Sequence, residues 1–285
     1  MTVTDQQLNE LLPAFKESLL GSSSYYSAND NKSENSNDNN NSCIGIDEDS
    51  HLKQFLRWKP DVKRASDRFE RFCQWKEANP SFFDETLRLS QDEELVRLIK
   101  SEVIVHPPGL TTTTGSPVLI GRLRNNDMKD GRTVEGVCRM MFYTIDRMLE
   151  LPESCDEGVT IIHDLKGFNP ARHADLGIPK ALFSAIFGHF PIRVKNIYLL
   201  NAPFVFYAFF KVVSGMFFPA KVKARCVFIK KLEDIKDVMD TDLLLKDVGG
   251  KAEMSLDDWI ETQKKRELDG TLRTMTDINP KTYSK

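Results

Sequence analysis

The alternation between residues 158 and 230 constrains the fold more than any other feature of the 285-residue chain. Three runs read as strands: GVTIIHDL (158–165), VKNIYLLN (194–201) and KARCVFIK (223–230). Helical stretches at about 174–189 and 203–217 separate them. Strands joined through helices by short links pair in parallel, with right-handed crossovers. The expected architecture is α/β, with helices packed on a mostly parallel sheet. VIV (103–105) and PVLIGRLR (117–124) add two strands across a turn-rich TTTTGS link, and a helix follows over 132–150.

Ahead of this block the periodicity is helical. Leu8, Leu11, Leu12, Phe15 and Leu19 have the spacing of a short amphipathic helix. HLKQFLRWK ends at Pro60, Asp61 caps a second helix, and Pro80 stops it. On that second helix Val62, Ala65, Phe69 and Phe72 form the apolar side, and Lys63, Arg64, Arg68 and Arg71 the polar side. A third short helix spans 91–100. Between the first helix and this module, residues 21–50 are dominated by Ser, Asn and Asp and cannot bury enough apolar surface to offset their ordering entropy. The expected division is therefore a helix over 1–20, a disordered insert over 21–50, a helical module over 51–100, a main domain over 101–262 and a tail over 263–285.

A net charge of −3 argues against a general nucleic-acid binder. Five scattered cysteines without a C-x-x-C pair suit free thiols in a reducing compartment. The first residues lack a basic start and an apolar core, so no secretory leader is read there and the expected location is the cytosol. No G-x-G-x-x-G, Walker or G-x-S-x-G motif occurs, and the five histidines show no metal spacing. His163 and Asp164 are adjacent on a strand and so point to opposite faces, which rules out a dyad. Cys138 reads as a small buried hydrophobe. No catalytic residue, metal site or cofactor is expected.

The segment NAPFVFYAFFKVVSGMFFPAKVKAR (201–225) is unusual. Between Ala202 and Ala220 it holds six phenylalanines and one charge, Lys211. Pro203, Lys211, Gly215 and Pro219 interrupt it, and strands on both sides return the chain to one sheet, so it is not a membrane span. As a helix it would be capped by Asn201, with Pro203 in its first turn. Tyr207, Lys211 and Ser214 would form a polar stripe, opposite Val205, Ala208, Phe209, Val212 and Met216. Leaving that apolar arc in water would cost on the order of 10 kcal/mol, so protein, an apolar ligand or lipid must cover it. Lys221, Lys223, Arg225, Lys230 and Lys231 follow without an acidic residue among them. Such a cluster serves a solvated rim or an anionic membrane surface equally well.

FLRW-KPDVKRASDRFERFCQWKEANP, IIHDLKGFN, FGHFPIRVKNIYLLNAPFVFYAFF, FFPAKVKAR and LLLKDVGG together resemble the CRAL-TRIO lipid-transfer family, over about residues 51–262. The likeness is to the branch of α-tocopherol transfer protein and cellular retinaldehyde-binding protein. It implies a helical N-terminal module, then a lipid-binding domain in which helix 203–217 is a mobile gate over an apolar pocket. The pocket lining it implies is Cys138, Met141, Phe142 and Ile145, Ile161 and His163, Phe183 and Phe187, Val194 and Ile197, and Phe206, Phe209, Phe210 and Val213 on the gate. Tyr143 and Thr144 are the polar candidates beside it, while Met141 and Ile145 stand where the tocopherol-binding relative has hydroxyls. Phosphoinositide headgroups, phosphatidylinositol bisphosphate among them, would meet Arg193, Lys195, Lys221, Lys223 and Arg225, with Arg57 joining from the module. In the terminal signature Leu245 and Asp247 replace the family's Pro and Glu.

The function this implies is a soluble, monomeric, cytoplasmic carrier of one hydrophobic ligand, such as a retinoid, tocopherol or similar isoprenoid lipid. It would unload without bond chemistry at phosphoinositide-containing membranes, to which it is transiently peripheral. The alternative is a phosphoinositide-sensing regulatory module without ligand transfer.

Overall fold

The structure, a computed structural model, describes residues 3–21, 49–272 and 277–278. Most of the expected insert at 21–50, and most of the residues after 272, lie outside the described residues.

In chain order the helices of the N-terminal module are α1 (Asp5–Gly21), α2 (Ser50–Trp58), α3 (Val62–Ala78) and α4 (Glu93–Lys100). The main domain continues with β1 (Ile104–Val105), β2 (Val118–Arg122), α5 (Val134–Leu149), α6 (Pro152–Asp156) and β3 (Val159–Asp164). Then come α7 (Pro170–His173), α8 (Gly177–Gly188), β4 (Val194–Leu200), α9 (Phe204–Phe217), α10 (Ala220–Lys223) and β5 (Cys226–Ile229). A last helix, α11 (Leu256–Leu268), closes the fold. It runs across residue 262 and is seated by Ile260 and by Glu267, which accepts from the Tyr143 hydroxyl at 2.7 Å.

The sheet order is β1-β2-β3-β4-β5, with β1 antiparallel to β2 and every later pair parallel. Strands added in sequential order through crossovers of one hand put all the crossover helices on the same face. The other face would be bare, and the chain covers it with the segment after β5, whose Leu232, Ile235, Met239, Leu244 and Val248 pack under Val118, Ile120, Ile162 and Tyr198.

The N-terminal module is joined to the domain by aromatic packing and by Arg68. Trp75, Phe82, Phe83 and Phe190 surround Phe142 of α5, with ring centroids 5.2–5.8 Å away. Arg68 is buried, contrary to its expected place on the polar side of α3. Its guanidinium donates to the carbonyls of Ile186 (2.8 Å), Phe187 (2.9 Å) and Phe190 (3.0 Å). These include carbonyls that the end of α8 leaves without helical partners. A basic residue at that end also complements the helix dipole.

Candidate functional site

Alternation along the strands builds the floor of a cavity. Val159, Ile161 and His163 of β3 face the crossover helices, while Thr160, Ile162 and Asp164 face the other way. Leu119 of β2, with Val194, Ile197 and Leu199 of β4, extends the floor. Met141, Ile145 and Met148 supply one wall at i, i+4, i+7 spacing on α5, and Ile178, Leu182, Phe183 and Ile186 of α8 supply another. Phe206, Phe209, Phe210 and Val213 of α9 form the roof. The cavity volume is about 160 Å³.

Of the expected pocket residues, Cys138, Phe142 and Phe187 are not in this lining. Helix α5 is buried all round, so its faces serve different neighbours. Phe142 fills the aromatic cluster against the N-terminal module, and Cys138 shares its side of the helix by i, i+4 spacing. Burial pushes the Cys138 thiol up to about 12, in keeping with a packing role. Phe187 stacks behind Phe183 at 5.5 Å. Tyr143 points to Glu267, and Thr144 donates to the Met140 carbonyl at 3.0 Å, so neither hydroxyl lines the cavity. Sequence reading missed Val159 and Leu199, although strand alternation with Ile161 and Ile197 carries that signal. It also missed Phe168 and Phe218, which come from irregular segments with no periodicity to reveal them.

Helix α9 turns its expected inner face to the cavity, but its expected polar stripe is split and much of its apolar arc faces outward. Ser214 is buried, whereas Val205, Tyr207, Val212 and Met216 are exposed, and Phe204 is 92% exposed. Tyr207 stacks flat on Phe228 of β5 at 4.6 Å. The helix begins at Phe204 with Pro203 as its N-cap. Asn201 is not the cap: it has a left-handed backbone (φ 56°) and donates to Asp164 at 2.9 Å. The outer face of the roof is thus apolar as well as its inner face, with Lys211 the charge it carries. Apolar patches exposed on this scale mark interaction surfaces.

The expected headgroup cations divide into two groups. Arg57 pairs with Asp5 (2.5 Å) and Asp156 (3.2 Å), and Arg193 donates to the carbonyls of Asp156 (2.8 Å) and Trp58. Both fasten the module to the domain. Lys195 is held by Glu157 (3.1 Å) and Thr114 (2.8 Å), and Arg225 donates to the Val194 carbonyl. Lys221 and Lys223, on the short α10, are exposed, with no ion pair among the described residues.

Polar groups are few at the cavity: Asn126, His163, His173 and Asp175. His163 lies across Gly121 of the neighbouring strand, where a Cβ would come within 2.2 Å of its ring. Burial pulls this imidazole down to about 4, against the opposing pull of the Asp164 carboxylate and the Gly121 backbone. Its Nδ1 is buried without a hydrogen-bond partner. Gly121→Ala is expected to destabilise the protein by about 1–3 kcal/mol through this overlap. In a His163→Ala background the same substitution should cost far less, and urea unfolding of the four proteins in the cycle measures the difference.

Residues 105–250 match the CRAL/TRIO domain. Among curated proteins, the chain is 27% identical over 123 residues to human tyrosine-protein phosphatase non-receptor type 9, a match covering 43% of this chain and 20% of that one. It is 25% identical over 146 residues to the phosphatidylinositol transfer protein CSR1 of Eremothecium gossypii, covering 51% of this chain and 33% of that one. It is also 25% identical over 117 residues to mouse alpha-tocopherol transfer protein-like, covering 40% and 34% of the two chains. The matched region therefore spans between 20% and 34% of these relatives. The crystal structure of Sfh5 superposes with a TM-score of 0.59 at 12% identity, over 99% of this chain and 96% of that one, which is a likeness of fold. With a monotonic mostly parallel sheet, an apolar cavity under one crossover helix and a domain match over residues 105–250, the chain belongs to the CRAL/TRIO family.

Proposed function

We propose that the protein carries one hydrophobic ligand in the cavity beneath α9 and exchanges it at anionic membranes, including those that contain phosphoinositides. One observation carries this reading: the roof helix is apolar on both faces. An inner apolar face suits a ligand, but an outer one has no use in water alone. Two relatives named as transfer proteins support the carrier class.

The mechanism is a partition between two covers. Closed, Phe206, Phe209, Phe210 and Val213 lie over the cavity. A cavity of about 160 Å³ resembles those that accept a benzene-sized guest, so a long lipid enters only as α9 moves outward. That movement exposes the inner phenylalanines, and a bilayer is the environment in which the exposure costs least. Phe204, Val212 and Met216 already face outward to make the first contact. Lys221 and Lys223 add attraction to anionic headgroups at about 1 kcal/mol each. For the membrane to promote exchange it must favour the open form, since equal affinity for both forms shifts nothing.

Vesicle sedimentation separates the two contributions. Phe204→Ala with Met216→Ala is expected to weaken binding to neutral and anionic vesicles alike, by about 30-fold from roughly 2 kcal/mol of lost burial. Lys221→Ala with Lys223→Ala should weaken binding by a similar factor on phosphoinositide vesicles only, with the effect fading in high salt. Transfer of a fluorescent isoprenoid between vesicles should fall with binding in both variants. Unchanged binding in both would remove the membrane from the mechanism, and binding without transfer would favour the sensing role.

A further inference from the structure

The molecule has a second concavity, with a volume of about 620 Å³. It is lined by Pro107 and Pro108 from the turn after β1, by Leu243 and Met254 from the segment after β5, and by Asp258 and Trp259 from α11. The turn after β1 lies at one edge of the sheet, and β5, with the lysines of α10 just before it, forms the other. No residue of this lining is shared with the cavity beneath α9, so the two sites stand or fall separately. It is an open groove: Pro108 and Asp258 are exposed, and Leu243 is 53% exposed. A lipid guest would keep one side in water here, which removes most of its reason to bind.

We infer that this groove docks an extended, proline-rich segment of another protein, with a basic residue of that segment set against Asp258. The apolar surface is stiff, since two prolines with fixed φ and a half-buried indole supply much of it. Such surfaces suit a polyproline II segment, whose preformed shape loses little entropy on binding. The indole N–H of Trp259 makes no hydrogen bond among the described residues. A polyproline II helix has no internal hydrogen bonds, so each of its carbonyls can accept from that donor. Electrostatics set the sign of the partner. The lining holds Asp258 and Glu253 and, among the described residues, no lysine or arginine. Glu253 is paired with Lys246, whereas Asp258 has no ion pair among the described residues. Residues 240–262 around them carry seven carboxylates and two lysines, a field that attracts a basic partner. A second copy of this chain is a poor occupant. A concave surface does not fill itself, and an isologous contact would oppose Asp258 to its own copy.

The test is fluorescence anisotropy of a labelled peptide of about ten prolines and leucines ending in arginine, titrated with the full chain. Saturable binding is expected with a Kd on the order of 10 µM, as suits a small transient contact. Trp259→Phe keeps an aromatic ring against Tyr143 but removes the N–H, and should weaken binding about fivefold. Leu243→Ser, at an exposed position where the fold depends little on the side chain, should weaken it by about the same factor. Asp258→Lys should weaken it about tenfold, and should bind the same peptide ending in glutamate more tightly than the wild type does. A peptide with alanine at every proline favours a helix and should bind at least about tenfold more weakly to the wild type. No saturable binding below about 1 mM, equal binding of the alanine peptide, or an Asp258→Lys variant without preference for the glutamate peptide would each overturn the assignment.

Discussion

Replacing Arg68 with alanine is expected to lower the free energy of unfolding by about 3–5 kcal/mol, a large share of a typical domain's stability. The guanidinium is buried between the module and the main domain and donates to three carbonyls at the end of α8. It also lies over the Trp58 ring, 4.6 Å from the centroid. Burial, with a smaller contribution from Arg71, pulls its pKa down to about 10, so it remains charged near neutrality. Removing it leaves those carbonyls buried without donors, at about 1–3 kcal/mol each before any water enters. Arg68→Lys should recover only part of the loss, because an ammonium is a point charge and cannot supply a planar fork to three acceptors. Urea unfolding followed by circular dichroism measures both variants. A change below about 1 kcal/mol for Arg68→Ala would contradict the role assigned to it.

Asp247→Ala is expected to cost about 3 kcal/mol, toward the low end for a broken buried pair because the carboxylate itself is half exposed. Arg122 is the fully buried partner, bonded to Asp247 through Nε and Nη2 at 2.5 and 2.8 Å. Without Asp247 its remaining acidic contact is Glu102 at 3.6 Å. Burial pushes the Asp247 carboxyl up, but the bonds from Arg122 outweigh this and hold it below the usual carboxylate range. The stability it contributes is therefore present at neutral pH and lost as pH falls through that depressed value. Arg122→Met combined with Asp247→Leu should recover most of the loss, since replacing both members of a buried pair with apolar groups removes the desolvation problem. Thermal unfolding at pH 7 compares the variants, and a double variant worse than Asp247→Ala would show that the pair holds more than its own charges.

Asp247 also marks how far the sequence can be read. The shortening from Glu to Asp in LLLKDVGG is visible as a departure, but nothing in that string reveals Arg122 on β2, 125 residues away, as its partner. The strand and helix order was legible because β3, β4 and β5 are short runs rich in Val, Ile, Leu, Tyr and Phe and the helices between them carry a different period. The cavity floor was partly legible for the same reason. Arg68 was not: helical spacing assigns it to the polar side, and only the arrival of α8 makes that side an interior. The outward exposure of Val205, Val212 and Met216 on α9 was hidden by composition: when both faces of a helix are apolar, periodicity alone does not say which is inside, and Ser214 of the expected polar stripe is buried.

The cavity has a floor and a roof of very different mechanical character. The floor is a set of strands joined by backbone bonds within the sheet, in registers fixed by pairs such as Gly121 with His163 and Ile161 with Ile197. The roof is a single helix, attached at one end through Asn201 to Asp164 and packed at the other through Phe218 on Phe183. On the carrier reading proposed above, the floor discriminates between shapes, and α9, as the part that moves, sets how long a guest remains. Changes in the floor should therefore redirect which molecules are retained, whereas changes along α9 should alter the rate of turnover with little effect on the order of preference. Selectivity and residence time become separable properties, free to be adjusted independently within one small domain.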